Sequence, residues 1–154
     1  MLVIGVGNRY RSDDGAGLEV ARRLQGSDAF DVRESEGEPV ALLDVWDGAP
    51  AAILVDAVSS GATPGTIHRI DASDQPLPAE IGGAPSTHAV GLGEAIELGR
   101  ALGRLPRKLI VYGIEGERFN AGEELSPRVA AAIESLVQQV QQERIQPEEG
   151  RPKA

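Results

Sequence analysis

This sequence predicts a three-layer α/β/α sandwich, with a mainly parallel, twisted sheet of about five strands and helices on both faces. Three observations predict it. Short apolar runs alternate along the chain with longer segments of helical periodicity. The two strongest runs, Leu2–Val6 and Ala51–Val58, lack polar alternation, as strands covered on both faces do. The chain has 154 residues and no internal repeat, which suits one domain with a sizeable core. That domain is expected to span residues 1–145, with 146–154, rich in proline and charge, as a disordered tail.

The elements follow in order. Leu2–Val6 reads as a buried strand that breaks into glycine at Gly5 and Gly7. Ala16–Leu24 places Leu18, Val20, Ala21 and Leu24 on one helical face. Asp31–Ser35 is a polar strand suited to an edge, and Val40–Trp46 is a short apolar helix. Ala51–Val58 is the central strand. Gly65–Ile70, entered through Pro64-Gly65, is a short strand, and Asp71–Ser86, rich in Pro, Gly and acids, reads as a long loop. Thr87–Leu102 is a helix and Lys108–Ile114 another buried strand. Ser126–Gln142 is a helix with Ser126 as N-cap, Pro127 in its first turn, and a stripe of Val129, Ile133, Leu136, Val137 and Val140.

Composition narrows the function. The net charge of -9 argues against a general nucleic-acid binder, and an aromatic content of 3% argues against base-stacking platforms. No apolar stretch reaches the roughly 18 residues that span a membrane, and no signal peptide is visible, so membrane insertion is not expected. The absence of cysteine excludes disulfides, thiolate metal sites and cysteine nucleophiles, and fits the cytoplasm.

In parallel α/β sheets, ligands bind beyond the carboxyl ends of the strands. Three such corners carry chemistry here. The first strand leads through Asn8 to Asp13 and Asp14. The central strand carries Asp56 directly after Ile53-Leu54-Val55, and a carboxylate there is costly to bury unless paired or metal-bound. His88 stands at the start of a helix after the long loop. Two carboxylates and one imidazole make a three-ligand site with open positions for a divalent ion such as zinc or nickel. Plainer readings stand beside this one. Asp13 or Asp14 could cap the following helix, Asp56 could be a turn residue, and Asn8 could support the turn after Gly7. His88 could be a surface or capping residue, and His68 reads as a surface residue. A nucleotide site is disfavoured. Tyr10 stands where a dinucleotide fingerprint needs glycine, no Gly-Lys-Ser/Thr is present, and Asp13 and Asp14 would repel a phosphate.

The segment Gly5-Val-Gly-Asn-Arg-Tyr-Arg-Ser-Asp-Asp-Gly-Ala-Gly17 resembles the opening signature of the hydrogenase maturation proteases. The likeness continues at Leu54–Ala57, Pro64–Thr66, Ser86–His88 with Gly91-Leu92, Tyr112–Glu115 and Leu125–Pro127. It implies an endopeptidase that removes the C-terminal extension of a nickel-iron hydrogenase large-subunit precursor after nickel insertion. It also implies metal ligands at Asp14, Asp56 and His88, which double as the catalytic residues. Asp13, Asn8 and Glu115 are supporting candidates. The implied metal is nickel supplied by the nickel-loaded precursor, with zinc or another divalent ion able to substitute. Two departures bear on substrate choice. Glu36-Gly-Glu-Pro39 stands where Asp-Gly-Gly-Thr is common, with Glu36 in place of the acid, and Gly116 replaces a usual proline. Without cysteine or a recognisable serine–base pair, metal-assisted attack by water is the expected chemistry. The rival readings are a non-catalytic nickel- or zinc-binding recognition module and a small-molecule hydrolase using the same strand-end site.

Overall fold

In the computed structural model, residues 1–82 and 87–143 are described, with the backbone alone for 82 and 87–91. The strands are β1 (Leu2–Val6), β2 (Asp31–Ser35), β3 (Ala51–Val58), β4 (Ile67–Asp71) and β5 (Lys108–Glu115), in the spatial order β2-β1-β3-β5-β4. β1, β2, β3 and β5 run parallel, and β4 pairs antiparallel with β5. The central strands β3 and β5 are buried beyond their first residue, while β2 is largely exposed at its edge. This is the gradient that apolar and polar strand compositions predict.

The helices are α1 (Ala16–Leu24), α2 (Pro39–Trp46), α3 (Ala79–Gly82), α4 (Thr87–Ala101) and α5 (Pro127–Gln142). On one face, Val20 and Leu24 of α1 and Ile133 and Leu136 of α5 pack with Ile53 and Ile110. On the other, Leu42 and Trp46 of α2 and Leu92 and Ile96 of α4 pack with Leu54 and Val111. Each face thus takes alternate residues of the same strands, which is why β3 and β5 tolerate no polar alternation. Trp46 donates its indole N–H to the Arg104 carbonyl at 2.8 Å, so its buried ring leaves no unmade hydrogen bond.

The structure shifts the start of α2 to Pro39, the end of β4 to Asp71 and the end of α4 to Ala101, and differs from the sequence reading in four further places. β4 begins at Ile67, because Gly65 and Thr66 form the turn. The Gly65 N–H donates to the Glu115 carbonyl at 2.8 Å and the Thr66 N–H to Thr63 at 3.0 Å. The expected loop Asp71–Ser86 contains the one-turn helix α3, which buries Ile81, and residues 83–86 lie outside the described residues. β5 continues one residue further than expected, to Glu115. Ser12–Gly15 forms a 3-10 turn that periodicity does not announce. The proposed tail, 146–154, lies outside the described residues. Among the described residues, no helix is long and apolar enough to cross a membrane.

Candidate active site

The loop after β1 is shaped by close backbone approach. Gly7 has φ +147, and a Cβ there would lie 1.9 Å from the Asp14 carbonyl oxygen. A Cβ at Gly17 would lie 2.2 Å from the Val55 carbonyl and 2.7 Å from that of Val6. Only glycine lets the first turn of α1 rest on the ends of β1 and β3. Ser12 takes φ +53, unusual for a side-chain-bearing residue. It is held there by its N–H on the Gly122 carbonyl (2.7 Å) and its hydroxyl on the Asn120 carbonyl (2.9 Å). The consequence is that Asp14, 2% exposed, is carried to the central strand ends. The Asn8 N–H donates to Asp14 Oδ2 at 3.1 Å, and Asn8 Oδ1 accepts from the Tyr10 N–H at 2.9 Å. Asn8 therefore supports both the turn and the Asp14 carboxylate.

Asp56 lies within β3, opposite Gly113 of β5, and is fully buried. The turn reading of Asp56 is thereby overturned. Neither of its carboxylate oxygens has a hydrogen-bond partner among the described residues. Burial first, and the neighbouring charge of Asp14 second, push its carboxyl well above the usual carboxylate range, against a smaller lowering by the Ala57 N–H, which lies nearby without making a hydrogen bond of good geometry. Buried carboxylate oxygens are nearly always satisfied, so this pair calls for a proton or a cation. A divalent ion fits that requirement, because it supplies the partner that Asp56 lacks and a charge opposite to both acids.

His88 falls in the first turn of α4, but its side chain lies outside the described residues. The geometry therefore brings together two of the three expected ligands, Asp14 and Asp56. Among the described residues, no group of three His, Asp or Glu side chains forms a metal cage.

Asp13 has a different task. It is fully buried and accepts from the N–H groups of Glu117 (2.7 Å), Arg118 (2.9 Å) and Ser126 (2.6 Å), and from the Ser126 hydroxyl (2.7 Å). Burial alone would raise its carboxyl, but these hydrogen bonds outweigh burial and hold it below 3.8. Neither Asp13 nor Asp14 caps α1, whose N-cap is Gly15 without a side-chain bond. Ser126 does occupy the N-cap position of α5, but its hydroxyl is spent on Asp13 rather than on its own helix.

Glu115 is 2% exposed at the end of β5 and also has partners. It accepts from the Ser60 N–H (2.7 Å), from the Ser60 hydroxyl (2.5 Å) and from His68 Nε2 (3.1 Å). His68 is 23% exposed and tied to that buried carboxylate, which corrects its reading as a surface residue. The sequence held one signal for this. Glu115 ends an apolar run as Asp56 does, so it too needed a partner, and the chain has only two histidines.

Glu36 is exposed at a cleft of about 210 Å³ that Gly7, Asn8, Tyr10 and Glu34 also line. Gly116 has a structural reason. Its N–H donates to the Val58 carbonyl at 2.9 Å, extending the β3–β5 ladder in a way a proline could not.

A family model described as hydrogenase maturation protease matches residues 21–143. It spans Asp56 and His88 but begins after the Asp14 loop. The hydrogenase expression/formation protein HupD of Rhodobacter capsulatus is 31% identical, over 89% of this chain and 67% of its own length. The hydrogenase 2 maturation protease of Escherichia coli is 29% identical, over 91% of this chain and 87% of its own. Among solved structures, the hydrogenase maturating endopeptidase HybD of Escherichia coli superposes with a TM-score of 0.75 at 28% identity, covering 90% of this chain and 88% of that one. The nickel-iron hydrogenase maturation protease HybD of Thermococcus kodakarensis gives 0.68 at 26% identity, covering 91% and 95%.

Proposed function

The chain belongs to the hydrogenase maturation protease family and is an endopeptidase, and from that premise we propose that it removes the C-terminal extension of a nickel-loaded hydrogenase large-subunit precursor. The precursor's nickel is the cargo that Asp14, Asp56 and His88 recognise. The observation that carries this reading is Asp56. It has two buried carboxylate oxygens without a partner among the described residues, beside a second acid.

Each residue has a task that follows from its setting. The Gly7 and Gly17 contacts hold the Asp14 loop against the strand ends, and the Asn8 N–H fixes one Asp14 oxygen. The β3–β5 ladder fixes Asp56. A divalent ion at these carboxylates would supply Lewis acidity to the scissile carbonyl. In the hydrolysis, a water oxygen adds to the carbonyl carbon, the C–N bond breaks, and the amine nitrogen departs with a proton. Asp14 and Asp56 are the groups of this chain suited to take the proton that the water gives up. Asp56 holds a proton more tightly than an ordinary carboxyl, because burial disfavours its charge. Two carboxylates and one imidazole, without thiolate, make a weak resident metal site, which favours nickel arriving with the substrate. The cytoplasm, where thiol-free chains need no oxidising environment, is the proposed location.

The test is incubation of chelator-treated protein with nickel-loaded and nickel-free precursor, with released C-terminal peptide read by mass spectrometry. Release from the nickel-loaded form alone is expected. Equal cleavage of the nickel-free precursor overturns the role given to nickel. Binding without release from either form overturns the peptidase reading in favour of a recognition module.

A further inference from the structure

His68, which contacts Glu115, lies on the same side of the sheet as Asp56. Ile53, Val55 and Ala57 of β3 face α1 and α5, so Asp56 faces the α2–α4 side. On β4, Ile67 packs with the first cluster and Ile70 with the second, so His68 also faces the α2–α4 side. The register places Asp56 opposite Gly113, and Gly113 opposite His68. A Cβ on Gly113 would lie 3.0 Å from a Val58 methyl and 3.8 Å from the His68 Cβ, which puts these three positions on one face. Asp56, Gly113 and His68 therefore form one row across three strands, with the Val58 side chain packed over the middle residue. β4 is antiparallel, so its first residues lie at the same sheet edge as the carboxyl ends of β3 and β5.

The ring of His68 is oriented by chemistry that suits a fixed tautomer. Glu115 receives two hydrogen bonds from Ser60 and a third contact from His68 Nε2 at 3.1 Å. With Nε2 as the donor to the Glu115 carboxylate, Nδ1 is the ring nitrogen left for another partner. Among the described residues, Nδ1 has no hydrogen-bond partner.

We propose that His68, braced by Glu115 and Ser60, is a substrate-contacting residue of the peptidase site whose Nδ1 accepts a backbone N–H of the precursor's C-terminal segment. The inference rests on the peptidase reading above and adds a subsite to it. Two strand spacings separate His68 from Asp56, roughly 10 Å, which an extended peptide crosses in about three residues. The contact thus falls about three residues from the scissile bond. It acts on binding and register rather than on the chemical step.

The experiment is steady-state processing of nickel-loaded precursor by wild type, His68→Ala and His68→Gln, with thermal melts of all three. Glutamine offers one N–H for Glu115 and one oxygen for the substrate. His68→Ala is expected to raise KM about tenfold and leave kcat within about threefold, and His68→Gln to recover most of the loss. Unchanged KM in His68→Ala overturns the inference. So does a fall in activity that tracks a lowered Tm and is not rescued by glutamine. A wild-type protein that releases no peptide overturns the proposed function itself, and so is told apart from failure of the subsite alone.

Discussion

Asp13 and Asp56 are both fully buried aspartates, and they occupy opposite environments. Asp13 sits in a socket of four donors contributed by Glu117, Arg118 and Ser126. Asp56 has none among the described residues, and its neighbour is another acid. The first carboxylate is held below 3.8 and the second pushed well above it. The difference teaches that burial does not mark a functional carboxylate. What marks it is burial without satisfaction, since the cost persists until a proton or cation offsets it. Asp13 joins the β1–α1 loop to the start of α5, and Asp56 is left without a hydrogen-bond partner among the described residues.

The largest expected effect breaks the comparison at Asp56. Asp56→Asn should reduce precursor processing by at least about 10³-fold, because one partner of the reacting site is lost. The same variant should melt a few degrees higher than wild type without metal, because asparagine is neutral beside Asp14 without having to take up a proton. Normal processing by Asp56→Asn would remove Asp56 from the site. Next is Asp13→Ala, which strands three backbone N–H groups and a hydroxyl in the interior. We expect a loss of about 3–5 kcal/mol in urea unfolding, with processing lost only in proportion to the unfolded fraction. A loss of activity in fully folded Asp13→Ala would transfer a catalytic part to Asp13.

The pH dependence sharpens the contrast, because the two shifts have opposite sign. Asp13 has a depressed value in the fold. Its contribution is present above the ordinary 3.8 and is lost as pH falls through its folded value. Asp56 has a raised value. Its contribution is complete below 3.8 and is lost as pH rises through its folded value. Melting curves of metal-free protein across pH should therefore flatten above 3.8 in Asp56→Asn and below 3.8 in Asp13→Asn. Identical profiles for wild type and both variants would refute the assignment. The smallest effect is the exposed pair Arg9–Glu34, 3.3 Å apart at the rim of the first loop. Arg9→Ala should change stability by less than about 0.5 kcal/mol. A larger change would mean that the loop depends on its surface as well as on Asp13.

Legibility followed the range of the physical cause. The strands Leu2–Val6 and Ala51–Val58 and the helix entered through Ser126-Pro127 were readable because burial periodicity and Pro placement act over a few residues. The 3-10 turn at Ser12 was not, because its positive φ is imposed by Asn120 and Gly122, more than a hundred positions away. Asp56 was readable as a candidate because a charge inside an apolar run is anomalous in any fold. Glu115 carried the same anomaly, but its partners Ser60 and His68 are brought to it by the β3–β5 and β4–β5 pairings, which no local pattern specifies.

The sequence by itself determined the α/β layering, the central strands and the acids at their ends, since apolar pattern and misplaced charge are local properties. Tertiary structure alone decided which acid does what. Asp13 and Asp14 are adjacent and chemically identical, yet one turns into donors from the far end of the chain and the other lies beside Asp56. Hydrogen-bond satisfaction is a property of three-dimensional neighbours, and it is that accounting, not residue type, which separates the satisfied carboxylate of Asp13 from the unsatisfied one of Asp56.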